Sequence, residues 1–236
     1  MLWTSILNTL YYCLSVPINI CVSLFLANVL TRKIFCGKIA RIILFVPQVC
    51  SSVAVTLMWQ WIFEDNYGVI NTVLTAMGLP KIAFMTDKNW FMPAVLTISL
   101  WQNGTNVVLL QAAFVNINKS LQEAARIDGA NGWQILWKIT IPNVMPSITI
   151  CTFLTLTNSF KLYDQNLALT AGRPFIQQGG EVIKTTEMLA LNIVNSFYAS
   201  ARSRGVGQAK AVIFFVLVAV LSILQLRSTR EKEVQQ

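Results

Sequence analysis

The side chains in this sequence best suited to handling a solute are uncharged. Gln102, Asn103, Gly104, Thr105 and Asn106 stand together, with Gln111 shortly after. Asn158 and Ser159 form a second group, followed by Lys161, Tyr163 and Asp164. An amide offers both donors and acceptors, and a hydroxyl does the same. Such a set suits a neutral, hydroxyl-rich molecule better than an ion. Histidine is absent, which excludes Ser-His-Asp triads, Cys-His pairs and HExxH zinc sites. No G-x-x-x-x-G-K-[ST] run occurs, so no such phosphate cradle is present. Cys13, Cys21, Cys36, Cys50 and Cys151 show no C-x-x-C spacing. They read as small buried hydrophobes, a disulfide or metal framework being the other choice.

The elements that must position these groups follow from where the charges are not. Of 236 residues, 55% are hydrophobic and 12% charged, with mean hydropathy +0.57. A soluble domain carries about 25% charged residues, and disorder requires low hydrophobicity. Five stretches, 9–30, 42–63, 91–115, 143–160 and 211–226, contain no Asp, Glu, Lys or Arg. A membrane span needs roughly 20 mainly apolar residues, and backbone groups in lipid must be satisfied internally. The pattern predicts an all-α polytopic membrane protein with five transmembrane helices. Core helices of a soluble protein would need far more polar chain to cover them. At membrane depth, the amides of the third and fourth stretches either tie helices together or line a wet path for a polar solute.

Orientation follows from the cations. Segments 31–41, 116–142 and 227–236 carry Arg32, Lys33, Lys38, Arg41, Lys119, Arg126, Lys138, Arg227, Arg230 and Lys232. Segments 1–8, 64–90 and 161–210, longer in total, hold the other eight. The denser side is cytoplasmic by the positive-inside rule. The net charge of +8 is thus topological rather than a nucleic-acid footprint. This leaves residues 1–8 as an external stub, 9–226 as one membrane domain and 227–236 as a cytoplasmic tail. The stub carries no charge, so an upstream span is expected, or an unusual insertion of the first helix.

Smaller features complete the chain. Trp59 and Trp61 near the end of the second stretch, with Trp90 and Phe91 at the start of the third, fit either an interfacial belt or core packing. Val69, Ile70, Val73, Leu74 and Met77 share a helical face, and Gly78 with Pro80 ends that run. Turn signals fall at 171–174 and at Gly179–Gly180, and a second amphipathic run spans Val182 to Tyr198.

Residues 116–142 read NINKSLQEAARIDGANGWQILWKITIP. Ser120 and Glu123 have capping-box spacing. Asp128-Gly129 and Asn131-Gly132 are breakers. Trp133, Ile135, Leu136, Trp137 and Ile139 form a second apolar run, which Pro142 is expected to stop. The prediction is helix, glycine turn, helix, in a cytoplasmic loop that packs on its own spans or enters another protein's groove.

The pattern Glu123-Ala124-Ala125, Gly129, Ile139 and Ile141-Pro142 resembles the EAA loop of bacterial binding-protein-dependent ABC importer permeases. The family form ends I-x-L-P, and Ile141 stands for Leu here. The run Pro47, Ser51, Ala54, Trp59, Trp61, Gly68, Ile70, Asn71 is similar to the carbohydrate-importer (maltose-type) branch. So are Trp101-Gln102 with Gly104, and Phe160-Lys161 with Asp164. The family often shows Thr-x-Gly-Gly-Pro where this chain has Thr170-Ala171-Gly172-Arg173-Pro174. Members of this branch usually carry one more N-terminal span.

The resemblance implies a permease subunit that is not an enzyme and sits in the bacterial cell membrane in contact with lipid. It implies half of a translocation pathway for a sugar or oligosaccharide, with no cofactor on this chain and no nucleic acid. It also implies a second permease in a heterodimer, two cytoplasmic ATPase subunits holding ATP and Mg, and an external solute-binding protein. Glu123, Ala124, Ala125, Asp128, Gly129, Ile139 and Pro142 would couple to the ATPase. Gln102, Asn103, Asn106, Asn158, Ser159 and Tyr163 are the candidate pathway residues, read from their polarity. A polyol or glycerol phosphate is the alternative solute, and a stand-alone channel is the alternative class. An intramembrane enzyme would need titratable groups, and the spans hold no Asp, Glu, Lys, Arg or His.

Overall fold

The computed structural model describes residues 2–31, 37–178 and 181–233. Arg32, Lys33, Cys36 and the Gly179–Gly180 turn lie outside them, as do residues 234–236 of the tail. The described chain is mostly helical: α1 (Leu2–Cys13), α2 (Ser15–Thr31), α3 (Gly37–Val49), α4 (Ser52–Ile62), α5 (Val69–Ala76), α6 (Lys88–Trp101) and α7 (Gly104–Val115). There follow α8 (Lys119–Ile127), α9 (Gly132–Ile135), a π turn at Leu136–Thr140, α10 (Ile141–Phe160) and α11 (Asp164–Leu169). An antiparallel hairpin, β1 (Phe175–Gln178) and β2 (Glu181–Lys184), pairs Ile176 with Ile183. Helices α12 (Leu189–Ala199) and α13 (Arg204–Glu233) end the chain.

Among the described residues, three helices are long and apolar enough to cross a membrane: Leu2–Thr31, Gly132–Phe160 and Arg204–Arg227. A bent pair, α3 with α4, makes up to four. The stretch 91–115 is not a continuous helix but α6 and α7, separated at Gln102–Asn103. Gln102 has φ −84, ψ 18 and Asn103 φ −87, ψ 14. This is the sparsely allowed region beside the helix basin, and both side chains bond to other elements, Asn103 to the Asn19 carbonyl and Gln102 to Gln165. The stretch 42–63 also departs from a straight span. It bends by 104° at Cys50–Ser51, where Ser51 has φ −57, ψ 128.

Other boundaries differ from the sequence pattern. Residues 2–8 are the first turns of α1, not a separate stub. Pro142 does not stop the run before it, because the helix passes through it to Phe160. The wider π turn just ahead supplies the local adjustment that a ring lacking an N–H requires. The run Val182 to Tyr198 divides into β2 and α12. Helix α5 forms as its periodicity predicts, and Gly78 at φ +76 closes it. Before it, Glu64 Oε2 accepts the N–H groups of Asn66 and Tyr67 at 2.7 Å each. Those bonds, Tyr67 foremost, hold its carboxyl below the usual range.

Packing forms two apolar cores. One gathers Tyr12, Phe63, Phe84, Phe91, Ile98 and Met188. The other joins Ile20, Ala27, Leu110, Phe114, Val144 and Cys151 from α2, α7 and α10. Trp59 stacks on Phe63 at 5.2 Å and meets Trp101 edge-on at 5.6 Å. It is a core residue rather than a belt residue, while Trp61 is 57% exposed. Many apolar side chains of α13 are exposed, Phe215 at 71%, while Phe214 packs edge-on against Phe160 of α10. On a single chain such a face needs lipid or another subunit to cover it.

Candidate functional site

Helix breaks and amides coincide. A cleft of about 350 Å³ is lined by Asn19 of α2, Gln48 and Ser52 on either side of the α3–α4 bend, and Gln102, Asn103 and Asn106 at the α6–α7 break. Asn158 and Ser159 of α10 and Gln165 of α11 complete its polar wall. The ends of α4 and α7 that face it are N-termini, where free N–H groups and the helix dipole favour an oxygen ligand. Discontinuous helices at a binding cleft are the membrane-protein form of that device.

The amides are held in place. Asn103 Nδ2 donates to the Asn19 carbonyl at 2.7 Å. Asn106 Nδ2 donates to Asn103 Oδ1 at 2.7 Å and to Thr155 Oγ1 at 2.8 Å. Gln165 donates to Gln102 Oε1. Away from the cleft, Gln111 Nε2 donates to the Leu30 carbonyl at 3.0 Å. These amides tie helices together, and several of them also line the cleft.

Two acceptors lack partners. Asn19 is 1% exposed and its Oδ1 is unpaired, as is Gln165 Oε1. The Asn19 amide cannot be turned over, since its Nδ2 donates to the Ser15 carbonyl at 3.1 Å, an acceptor only. An unpaired buried acceptor is costly, and an incoming hydroxyl could satisfy it.

Gly104 explains how α3 and α7 meet. A Cβ there would land on the backbone carbonyl of Leu44, with Leu44 C at 3.1 Å and Phe45 Cα at 3.2 Å. Tyr163, expected at the pathway, precedes α11 and does not line the cleft. Asn19, Gln48, Thr155 and Gln165 were not legible as site residues. Pro17 beside Asn19 and Pro47 beside Gln48, inside apolar stretches, were the available signals.

The second grouping is the loop 116–142. The cap of α8 is Asn118, whose side chain accepts from the Ser120 N–H at 3.1 Å. Ser120 therefore lies inside the helix, and the expected Ser120–Glu123 capping box does not form. Glu123 and Ala124 are exposed and Ala125 half-buried. Asp128 is the C-cap, Gly129 has φ +81, and the Ala130 N–H reaches the Ala125 carbonyl at 2.9 Å. That pattern is a Schellman ending, whose left-handed residue is normally glycine.

Asn131 then caps α9 with a reciprocal pair: Gln134 N–H to Asn131 Oδ1 and Asn131 N–H to Gln134 Oε1, both 2.9 Å. Ile127 is 86% exposed, and Trp133 and Trp137 are also exposed, packed edge-on at 5.6 Å. Glu123, Lys119, Arg126 and Trp133 line an opening of about 1050 Å³ that reaches Phe25 and Phe114. The structure thus brings Glu123, Ala124, Ala125, Asp128 and Gly129 together at an exposed tip. Ile139 and Pro142 are half-buried farther along the helix. Among the described residues no cluster of His, Cys, Asp or Glu could hold a metal ion.

Broken apolar helices around an amide-lined cleft, with bare outer faces, define a membrane permease subunit. Residues 19–232 match the family described as "Binding-protein-dependent transport system inner membrane component", and the chain belongs to that family. It is 37% identical over 236 residues to AmyD of Thermoanaerobacterium thermosulfurigenes, named for a starch degradation products transport system; the match covers 99% of this chain and 77% of that protein. The lactose transport system permease LacF of Rhizobium radiobacter is 30% identical, covering 98% of this chain and 77% of that one. A chain of the bacterial alginate ABC transporter, crystallised in complex with alginate pentasaccharide-bound periplasmic protein, superposes with TM-score 0.83. It is 24% identical and covers 98% of this chain and 78% of that one, a likeness of fold.

Proposed function

We propose that this chain forms half of the translocation pathway of an ATP-driven importer for a neutral sugar or oligosaccharide. The observation that carries it is the cleft: two helix breaks, amides on several elements, unpaired acceptors at Asn19 and Gln165, and no cation in the wall. Gln102, Asn103, Asn106, Asn158 and Ser159 face the solute. A glycerol phosphate would call for a cationic wall, so a polyol is the better second choice. The carbohydrate transport named for the relatives supports the same class.

The assembly in this proposal has a second permease as heterodimer partner, two cytoplasmic ATPase subunits that hold ATP and Mg, and an external solute-binding protein. It sits in the bacterial cytoplasmic membrane with five spans, two of them the broken pairs α3–α4 and α6–α7. The tip formed by Glu123, Ala124, Ala125, Asp128 and Gly129 docks in an ATPase groove as a knob, with Ile139 and Pro142 backing it. Closure of the ATPase rocks the bundle and alternates access.

The test is uptake in the source strain with this gene deleted and restored, using labelled maltotriose, lactose, glycerol and glycerol 3-phosphate. Loss confined to a sugar supports the proposal. Loss confined to glycerol 3-phosphate overturns the substrate class, and flux through purified chain in liposomes without ATP overturns the importer in favour of a channel.

A further inference from the structure

The polar cleft does not use the most deeply buried charge among the described residues. Glu187 is 2% exposed. Its Oε1 meets Lys184 Nζ at 3.2 Å, the one ion pair among the described residues, and accepts from Asn195 Nδ2 at 2.5 Å. Its Oε2 accepts from Asn192 Nδ2 at 2.6 Å. The same Asn192 side chain turns its oxygen to Lys210 Nζ at 2.8 Å, and that ammonium also donates to Ser196 Oγ at 2.6 Å. Asn192 thus bridges the carboxylate to the last cation before the apolar run 211–226. An ionisable group buried in a membrane protein is expensive, and a buried ion pair is a poor source of stability by itself.

The backbone around Glu187 is held just as tightly. Asn8 Nδ2 donates to the Thr185 and Glu187 carbonyls at 2.8 and 3.2 Å. Thr9 Oγ1 accepts the Leu189 N–H at 2.9 Å. Asn166 donates to the Thr186 carbonyl at 2.8 Å and accepts the Met188 N–H at 2.9 Å. One short segment is therefore fastened to α1, α11, α12 and, through Asn192, to α13. Helices α12 and α13 also touch backbone to backbone, since a Cβ on Gly207 would sit 2.9 Å from Phe197 Cα and N.

We infer that Glu187 is the positioning residue of a clamp that makes α11, residues 184–199, α1 and the start of α13 move as one body. Resting on the importer proposed above, the clamp transmits a load from the docked external solute-binding protein to the first and last spans. Glu187 touches no solute; it acts through Asn192 and Lys210. Cutting the link leaves the subunit assembled but slackens the transfer of motion between the loop and α13.

The variants are Glu187→Gln, Lys210→Met and the conservative Lys210→Arg, each in the assembled complex. Three readouts are taken: co-purification with the ATPase, uptake kinetics with the sugar that the panel above identifies, and amide exchange over 189–199. Expected for E187Q and K210M are retained assembly, Vmax reduced about five-fold with KM unchanged, and exchange faster by about tenfold. K210R restores both. Equal loss of assembly and uptake makes the network merely structural and overturns the inference. So does faster exchange with Vmax intact, or exchange that does not change. If the wild-type chain imports none of the panel, the importer proposal falls and the transmission role with it, while the exchange arm still judges the clamp.

Discussion

Gly104→Ala gives the most direct check on how the cleft is built. The added Cβ would strike the Leu44 carbonyl, with Leu44 C and Phe45 Cα also inside 3.3 Å at 3.1 and 3.2 Å. All three atoms are backbone, so no rotamer change relieves the contact and α3 must back away from α7. Replacing glycine in a helix returns at most about 1 kcal/mol, whereas overpacking costs about 1–3 kcal/mol. The clash lies at the first residue of α7, where the propensity gain is weakest, so a net loss of about 1–2 kcal/mol is expected. At about 2–4 °C per kcal/mol for a chain of this size, the melting temperature in detergent should fall by several degrees. Because α3 carries Gln48 and α7 carries Thr105 and Asn106 into the cleft, uptake should fall as well. Gly132→Ala is the control, since a Cβ there meets nothing within 4 Å. A Gly104→Ala protein that melts and transports like wild type would refute the backbone contact and the cleft geometry drawn from it.

Three more outcomes are expected. Asn118→Ala should weaken α8 by about 1 kcal/mol, seen as faster exchange at the Ser120 amide, while Ser120→Ala stays near neutral; the opposite order would restore Ser120 as the cap. Gly129→Val, at φ +81, should cost about 1–2 kcal/mol and lose co-purifying ATPase, whereas Gly129→Asn should be tolerated because asparagine enters the left-handed region. Asn106→Leu removes its bonds to Asn103 and Thr155; at about 0.6 kcal/mol each it should still fold, and measured uptake should drop far more than thermal stability.

Much of this architecture is legible in composition. The charge-free stretches coincide with helices, because a helix satisfies its own backbone and an apolar run has little else to do in lipid. The breaks are harder to see. Pro47 does not break α3; the bend comes three residues later at Cys50–Ser51, where no breaker residue stands. Gln102–Asn103 reads as polarity, not as a helix end, since the end depends on Asn103 reaching the Asn19 carbonyl 84 positions away in sequence. The loop shows the same division. Gly129 and Asn131 are visible because their roles are local, while the choice of Asn118 over Ser120 is decided by where α7 stops. The Glu187 network was out of reach, for it gathers residues from α1 to α13.

The helix that enters the bundle at Asn131 does not end at Pro142. It continues for 29 residues, Gly132 to Phe160, which at 1.5 Å per residue is a strut of about 43 Å. Its lower end is capped in the exposed tip, and near its upper end Thr155 and Asn158 stand in the cleft. One continuous helix thus joins the two ends, with the π turn at Leu136–Thr140 along it. In the importer proposed above, such a strut would let an ATPase at the tip work the cleft from a distance, as a pump handle works a valve.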